Sequence, residues 1–464
     1  MKTKFHLPLA LCALTFLFSC SKDELPPNVM DEPLISEDLF KKTYNNGMIK
    51  SYGNETILKW NELLGASIDE KLPVPLEAKI YAMVTISMHD ALNNVVPFYE
   101  TYALNNTSVN ASDISKKNIT QTADAAVSQA ARDVMAALFP PSSIAADALL
   151  NEVLSAISDE ASIAKGVEIG RQAAIAMLQK RQGDFPFLFT AYTPSSNEPG
   201  VYQANFPPYM FPNPPIWPAN AVYAPNLGNL TPFGIESSDQ FLFDGPYSIE
   251  SREYAVDYNE VKSLGCAGCT ARTPEQTKIA EFWFENTASS IYRLARSLTI
   301  QNELNGWESA RLIALLEMGV MDSFIASFRE KSEFVFWAPI TAIKAGDTDG
   351  NPETTGDPTW NALKTTPPVF EFPSTQAYTA GAASEVFRLF FKTDKINLTT
   401  TSPYYLPGVE RSFSSFSDFS TELSESRIFM GHHYRHSVVV GENNGIELGR
   451  YVFANNLRKL KKIK

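Results

Sequence analysis

The chain has 464 residues, 44% of them hydrophobic, and a formal net charge of −13 at pH 7. Length alone allows two or three domains, and the apolar content is ample for a large core. The acidic balance leaves no basic stripe to neutralise phosphates, so a nucleic-acid partner is disfavoured.

At the start, Lys2 and Lys4 precede an apolar core from Leu7 to Phe18. At about a dozen residues it is shorter than the roughly 20 that span a bilayer as a helix, and it reads as a secretory signal. Residues 1–19 form that signal, and Leu17-Phe18-Ser19-Cys20 looks like the lipobox of bacterial lipoproteins, which makes Cys20 the lipidated end of the mature chain. Ser21-Lys22-Asp23-Glu24 resembles the acidic tag that sends some lipoproteins to the cell surface. The expectation is an outer-membrane lipoprotein, exposed at the surface and held by its N-terminal lipid alone. Residues 20–45, with Pro26, Pro27 and Pro33, read as a flexible tether, leaving 46–464 as a single helical domain. His89 and Asp90 interrupt the most apolar later stretch, so no membrane span is expected there, and His89 reads by default as a hydrogen-bonded core histidine.

Apolar positions at a period near 3.6 predict helices from Asn54 onward: Leu76 to Val95, Thr122 to Phe139, Ile144 to Ile157 and Ala164 to Arg181. Between Gly183 and Tyr247, proline and aromatic residues crowd together, as in Phe206-Pro207-Pro208-Tyr209 and Pro214-Pro215-Ile216-Trp217-Pro218. No regular helix survives such a run, yet its apolar content predicts an ordered loop packed over the domain. With Cys12 in the signal and Cys20 lipidated, Cys266 and Cys269 remain; they read as a small local disulfide in a loop, with a redox pair as the second reading.

Thr273-Pro274-Glu275-Gln276 marks a helix start, with Thr as N-cap and Pro at the first turn. The apolar period continues from Ile279 through Phe282, Trp283 and Ile291 to Leu298 as one helix. A second helix follows from Gly306, a third from about Ser374 to Phe391, and a last one from His436 to about Leu460. Gly441, Gly445 and Gly449 stand at four-residue spacing on that last helix and predict close approach of a neighbour, since each glycine costs about 1 kcal/mol in a helix interior. The basic tail Arg458 to Lys464 is expected to cap a helix C-terminus. The class is all-α.

Chemistry concentrates in three segments. Lys331 begins Lys331-Ser332-Glu333-Phe334-Val335-Phe336-Trp337-Ala338-Pro339; Phe372-Pro373-Ser374-Thr375-Gln376 opens a helix; and Ser426-Arg427 precedes His433 by five intervening residues. A serine at a helix N-terminus lies beside free backbone N–H groups that suit an anion. Lys331 and Arg427 add positive charge, and His433 can attack phosphorus or ligate a metal oxyanion. Asp347-Thr348-Asp349-Gly350 lacks the register of a calcium loop and reads as a turn.

Together these segments resemble the vanadium-dependent haloperoxidases and the type 2 phosphatidic acid phosphatases that share their fold. The bacterial haloperoxidase branch fits best, through Phe336-Trp337, the loop from Ala345 to Pro352, Pro367-Pro368, and Arg272 to Thr277 with Trp283. The resemblance covers most of the mature chain and is most specific from Asp257 to Phe453. It implies two stacked helical bundles, the second holding the site within 272–464, vanadate as cofactor bound through His433, and hydrogen peroxide and halide as substrates.

Residue by residue, the resemblance makes Lys331, Ser374, Thr375 and Arg427 the oxyanion-binding positions, His433, Gln376 and Ser437 the catalytic ones, and His433 the vanadate ligand or phosphorylated histidine. Ala338 stands in place of an arginine, Thr375 in place of a glycine, Gln376 in place of the acid–base histidine and Ser437 in place of the aspartate that orients His433. Losing a general acid–base typically costs about 10²–10⁴ in rate. His432 and His436 are the available substitutes; on a helical course His436 is the better placed. The expected function is a haloperoxidase-like surface protein with a weakened oxyanion pocket. A non-catalytic binder of phosphate or another small anion is the second reading. An enzyme of altered chemistry, a haloperoxidase or an acid phosphatase acting through His433, is the third.

Overall fold

A computed structural model describes residues 51–105, 109–204, 220–242 and 245–460. The signal, Cys20 and the tether lie outside them, as do the proline clusters at 206–209 and 214–218. Thirteen α-helices are present among the described residues, with two small two-stranded sheets. None of the helices is long and apolar enough to cross a membrane.

The first bundle comprises α1 (Glu55–Ile68), α2 (Val74–Val95), α3 (Ile119–Leu138), α4 (Ser143–Ser155) and α5 (Glu160–Lys180). Asp159 caps α5 by accepting from Ser162 N, which satisfies one of the orphan N–H groups at the helix start. Then come α6 (Arg252–Leu264), α7 (Pro274–Phe282), α8 (Thr287–Gln301) and α9 (Gly306–Phe334). The expected start at Thr273 is present as a capping box with Gln276, and Asn305 with Glu308 builds a second one ahead of α9. The second bundle adds α10 (Pro339–Ala345), α11 (Thr375–Phe391), α12 (Phe416–Phe429) and α13 (Arg435–Asn455).

Helix α9 packs against α2 on one side and α11 on the other, which is why it is buried along most of its 29 residues. The glycine stripe does what its spacing predicts. A Cβ at Gly441 would lie 2.5 Å from Ser374 O, and one at Gly449 2.5 Å from Ala382 O. Only bare backbone lets α13 and α11 pack this closely.

Two expectations need correction. The helix expected to run through Trp283 is two helices, broken at Trp283–Asn286, because Glu70 Oε1 accepts from Asn286 N at 2.6 Å and turns the chain there. The described part of the basic tail, 458–460, caps no helix: α13 ends at Asn455, and Arg458 pairs with the Glu100 carboxylate at 2.9 Å while Leu460 N donates to Phe98 O. An antiparallel hairpin, β3 (Lys395–Ser402) with β4 (Leu406–Ser415), interrupts the helical succession between α11 and α12. The first sheet pairs β1 (Phe189–Ala191) with β2 (Ala221–Tyr223), and the described part of the long loop is tied down further by Tyr223 N to Pro368 O and Trp337 N to Gly200 O.

Cys266 and Cys269 are joined by a disulfide in the loop after α6. The Asp347–Gly350 stretch is a turn: Asp349 accepts from Asn351 N and Thr354 Oγ1, and Gly350 takes φ +84°. Among the described residues no cluster of three or more His, Cys, Asp or Glu side chains is arranged to hold a metal ion.

Candidate functional site

Four chain segments meet around one cleft: the last turns of α9 carrying Lys331, the start of α11, the break between α7 and α8, and the turn from α12 to α13. The cleft and the open solvent at its mouth together span about 740 Å³. Its walls are apolar, with Val74, Tyr223, Phe284, Phe324, Phe328 and Val369. Its polar lining is Thr375, Gln376, Arg427, His432, His433, Lys331 and Glu285. The site thus reaches outside 272–464, since Val74 and Pro75 from α2 and Tyr223 from β2 contribute to the wall.

His433 sits in the extended link between α12 and α13. Its Nδ1 lies 3.0 Å from Glu371 Oε1, and the same oxygen accepts from Tyr434 N at 3.0 Å. Ser437 Oγ donates to the other oxygen, Oε2, at 2.9 Å. Ser437 therefore does not face the histidine as an orienting group; it braces the carboxylate that does. Burial, with Lys331 and Arg427 nearby, pushes His433 well below the usual imidazole range, so the ring is neutral. Glu371 is the residue that the sequence concealed. Its one signal is a glutamate between two phenylalanines, Phe370 and Phe372, just ahead of a helix start.

Lys331 is 2% exposed, and its ammonium donates to three main-chain oxygens: Phe370 at 2.7 Å, Glu371 at 2.9 Å and Pro373 at 2.5 Å. An ammonium has three hydrogens, so none remains for an oxyanion in this arrangement. That corrects its expected role. Burial presses Lys331 down and Glu371 up; the charge of each opposes the shift of the other, and hydrogen bonds from Tyr434 N and Ser437 Oγ also favour the carboxylate.

Arg427 donates through Nε to Ser426 Oγ at 2.9 Å and through Nη2 to Trp283 O, which ties α12 to the end of α7 while the residue still lines the cleft. Ser374 is fully buried, caps α11 by accepting from Ala377 N, and stands behind the cleft wall rather than in it. Thr375 Oγ1 pairs with Ser327 Oγ at 2.9 Å. Gln376 is half-buried and faces the cleft at the first turn of α11. Ala338 is buried as the N-cap position of α10, away from the cleft lining.

The two histidine substitutes exchange places. His436 stacks on Tyr247 with ring centroids 3.8 Å apart and contacts Gly245 O, outside the cleft. His432 lines the cleft with His433, its Nε2 3.1 Å from Lys364 O. The helical course assumed between them fails because α13 begins only at Arg435. Burial lowers His432 to about 3, so it too is neutral.

Carboxylates shape the remaining wall. Glu77 Oε2 accepts from Asn286 Nδ2 and Ser289 Oγ, both at 2.9 Å, and Glu70 holds Asn286 N. Glu285, on the cleft, is paired with Arg293 at 2.6 Å. A tetrahedral oxyanion would meet the open Nε2 of His433, the guanidinium edge of Arg427, the Gln376 amide and the first N–H groups of α11, which have no intrahelical acceptor. These donors fit such a group, with fewer fixed charges than the sequence motifs imply.

Comparisons with known proteins agree with this fold. Residues 311–462 match the family described as the VCPO second helical-bundle domain. Vanadium chloroperoxidase of Curvularia inaequalis is 24% identical, over 83% of this chain and 79% of its own. A bacterial vanadium-dependent iodoperoxidase structure superposes with a TM-score of 0.67 at 20% identity, covering 88% of this chain and 97% of that one. A bacterial vanadium-dependent chloroperoxidase in its apo form gives a TM-score of 0.67 at 17% identity, covering 88% and 96%. At such identities the two structures establish the fold. The second-bundle match covers the segment that carries Lys331, Arg427 and His433, and with the relative's 24% identity it supports a likeness to the vanadium haloperoxidase superfamily.

Proposed function

We propose that the protein is an oxyanion-binding, haloperoxidase-type surface lipoprotein whose peroxide-dependent halide oxidation is attenuated. The observation that supports it is the His433–Glu371 pair at the edge of a cleft whose other polar groups are neutral or already hydrogen-bonded. His433 keeps Nε2 for vanadate or phosphate. Arg427 balances its charge, and the start of α11 donates N–H groups to it. When bound, vanadate would supply the Lewis acidity that makes hydrogen peroxide an oxidant of halide. What this chain lacks is the proton carrier: Gln376 hydrogen-bonds but cannot exchange a proton at neutral pH, and His432 is held neutral by burial. The apolar walls exclude water and favour an organic acceptor or a large, weakly hydrated halide over a small hydrated one. The signal-like residues 1–19 and the lipobox-like Leu17-Phe18-Ser19-Cys20 support the reading of a lipid anchor at the outer membrane.

The test is iodide oxidation by hydrogen peroxide after incubation of the purified protein with orthovanadate. The wild type is expected to turn over slowly, His433→Ala not at all, and Gln376→His about 10²-fold faster than wild type. Equal rates for wild type and His433→Ala would sink the proposal. Binding of orthovanadate or phosphate with no turnover even in Gln376→His would leave the second reading, a binder without chemistry. That reading is favoured by the engagement of all three Lys331 hydrogens.

A further inference from the structure

The strongest unassigned feature is the segment from Phe370 to Pro373, which bears a buried carboxylate on a loop and is clamped from behind by a buried ammonium. Glu371 has no solvent exposure in its side chain, yet the Lys331 hydrogens go to main-chain oxygens, including Glu371's own. Both carboxylate oxygens are thereby left to the α12–α13 turn: Oε1 to His433 Nδ1 and Tyr434 N, Oε2 to Ser437 Oγ. A residue serving only to neutralise Lys331 would spend its oxygens on the ammonium. Here they converge on the histidine, on the backbone N–H just after it and on the Ser437 hydroxyl.

The partner also decides the tautomer. Oε1 already accepts from Tyr434 N and Oε2 from Ser437 Oγ, so the carboxylate meets the ring as an acceptor, which puts the hydrogen on Nδ1 and the lone pair on Nε2; a serine hydroxyl, which donates and accepts, would enforce neither. Tyr434 N fixes the same oxygen, so the carboxylate cannot rotate away without losing a second bond. We infer that Glu371 is the positioning residue that presents His433 to the cleft through Nε2, and that Lys331 serves as the strut of the segment carrying it rather than as a ligand-binding group.

This rests on the oxyanion reading only for its consequence, a change in affinity; the positioning itself is read independently. Long-range ¹H–¹⁵N correlation spectra of the ¹⁵N-histidine-labelled full chain report the His433 tautomer, assigned by its disappearance in His433→Gln. Orthovanadate titration of the same samples reports affinity. Wild type is expected to show the Nδ1–H form. Glu371→Ala should give a mixed or Nε2–H form and an affinity lower by about 10–100-fold, the usual span for losing an outer partner of a ligating histidine. Adding Ser437→Asp to Glu371→Ala should restore both, because Ser437 Oγ already stands 2.9 Å from the carboxylate it would replace. Should Glu371→Ala fail to fold, the near-isosteric Glu371→Gln carries the test; its amide can donate to Nδ1, so the Nδ1–H form should lose its dominance. Lys331→Met should shift the tautomer in the same direction.

An unchanged Nδ1–H tautomer in both Glu371→Ala and Glu371→Gln overturns the inference, as does an Nε2–H wild type. A tautomer that follows Glu371 in a protein binding no orthovanadate supports the positioning and refutes the oxyanion reading instead.

Discussion

Each bundle buries a histidine beside a carboxylate, and the two are used in opposite ways. In the first, His89 Nε2 meets Glu100 O at 3.0 Å, and the neighbouring Asp90 accepts from the backbone N–H groups of Tyr102, Ala103 and Leu104. The carboxylate holds a loop, and the histidine is satisfied inside the core. In the second, Glu371 holds the histidine, and the ring's far side opens on a cleft. Burial lowers both imidazoles, His89 to about 4 and His433 well below the usual imidazole range. Burial and a depressed pKa therefore do not separate a structural histidine from a working one; what differs is the partner and whether one nitrogen is left facing space.

Breaking the first-bundle pair should cost stability alone. Asp90→Ala strands three N–H groups in the core, each worth about 1–3 kcal/mol when left unpaired, so denaturant midpoints should report a loss of about 3 kcal/mol or more. Orthovanadate affinity of the folded fraction should not move. Next in size is the scaffold behind the second pair. Gly445→Ala places a methyl against Tyr378 O in the α11–α13 contact, and overpacking there should cost about 1–3 kcal/mol in chemical denaturation.

A smaller effect concerns the carboxylate that turns the chain at Asn286. Burial, then Glu285, raises Glu70 to about 8. A folded pKa above the unfolded value gives stability that is full at low pH and is lost as pH rises through about 8. Wild type should thus exceed Glu70→Gln in Tm at pH 6 by more than at pH 9, with a difference of a few degrees between the two conditions. A gap that widens with pH would show that the Asn286 turn prefers the charged form.

Much of the scaffold was legible because it follows from periodicity and backbone sterics. Gly441, Gly445 and Gly449 announced the α11–α13 contact, and Thr273 with Pro274 and Gln276 announced a capped helix. The break at Trp283–Asn286 was not legible, because the apolar period runs on through Phe282 and Trp283 while the residue that turns the chain, Glu70, lies more than 200 positions away. The hairpin did leave a trace in Lys395-Ile396-Asn397-Leu398-Thr399-Thr400, whose alternation suits a strand, but the helical pattern around it drew attention away.

The site was half legible. Arg427, Gln376 and His433 line the cleft where their motifs put them. Lys331 and Ser374 belong to the same motifs, but the fold turns the first to carbonyls and the second to a cap. Glu371 and His432 could not be ranked from the chain alone, since their roles depend on two loops meeting in space. The substitution at Ser437 looked like the loss of an orienting group; in the fold a carboxylate from another segment, Glu371, lies 3.0 Å from His433 Nδ1.

The central claim is that His433, presented through Nε2, still holds a tetrahedral oxyanion. Isothermal titration with orthovanadate of wild type and His433→Gln tests it most directly, since glutamine keeps the bulk and a hydrogen bond to Glu371 without a ligating nitrogen. Saturable one-site binding by wild type, weakened at least about 100-fold in His433→Gln, is the predicted result. Identical isotherms for the two proteins, or none for wild type, would contradict the account.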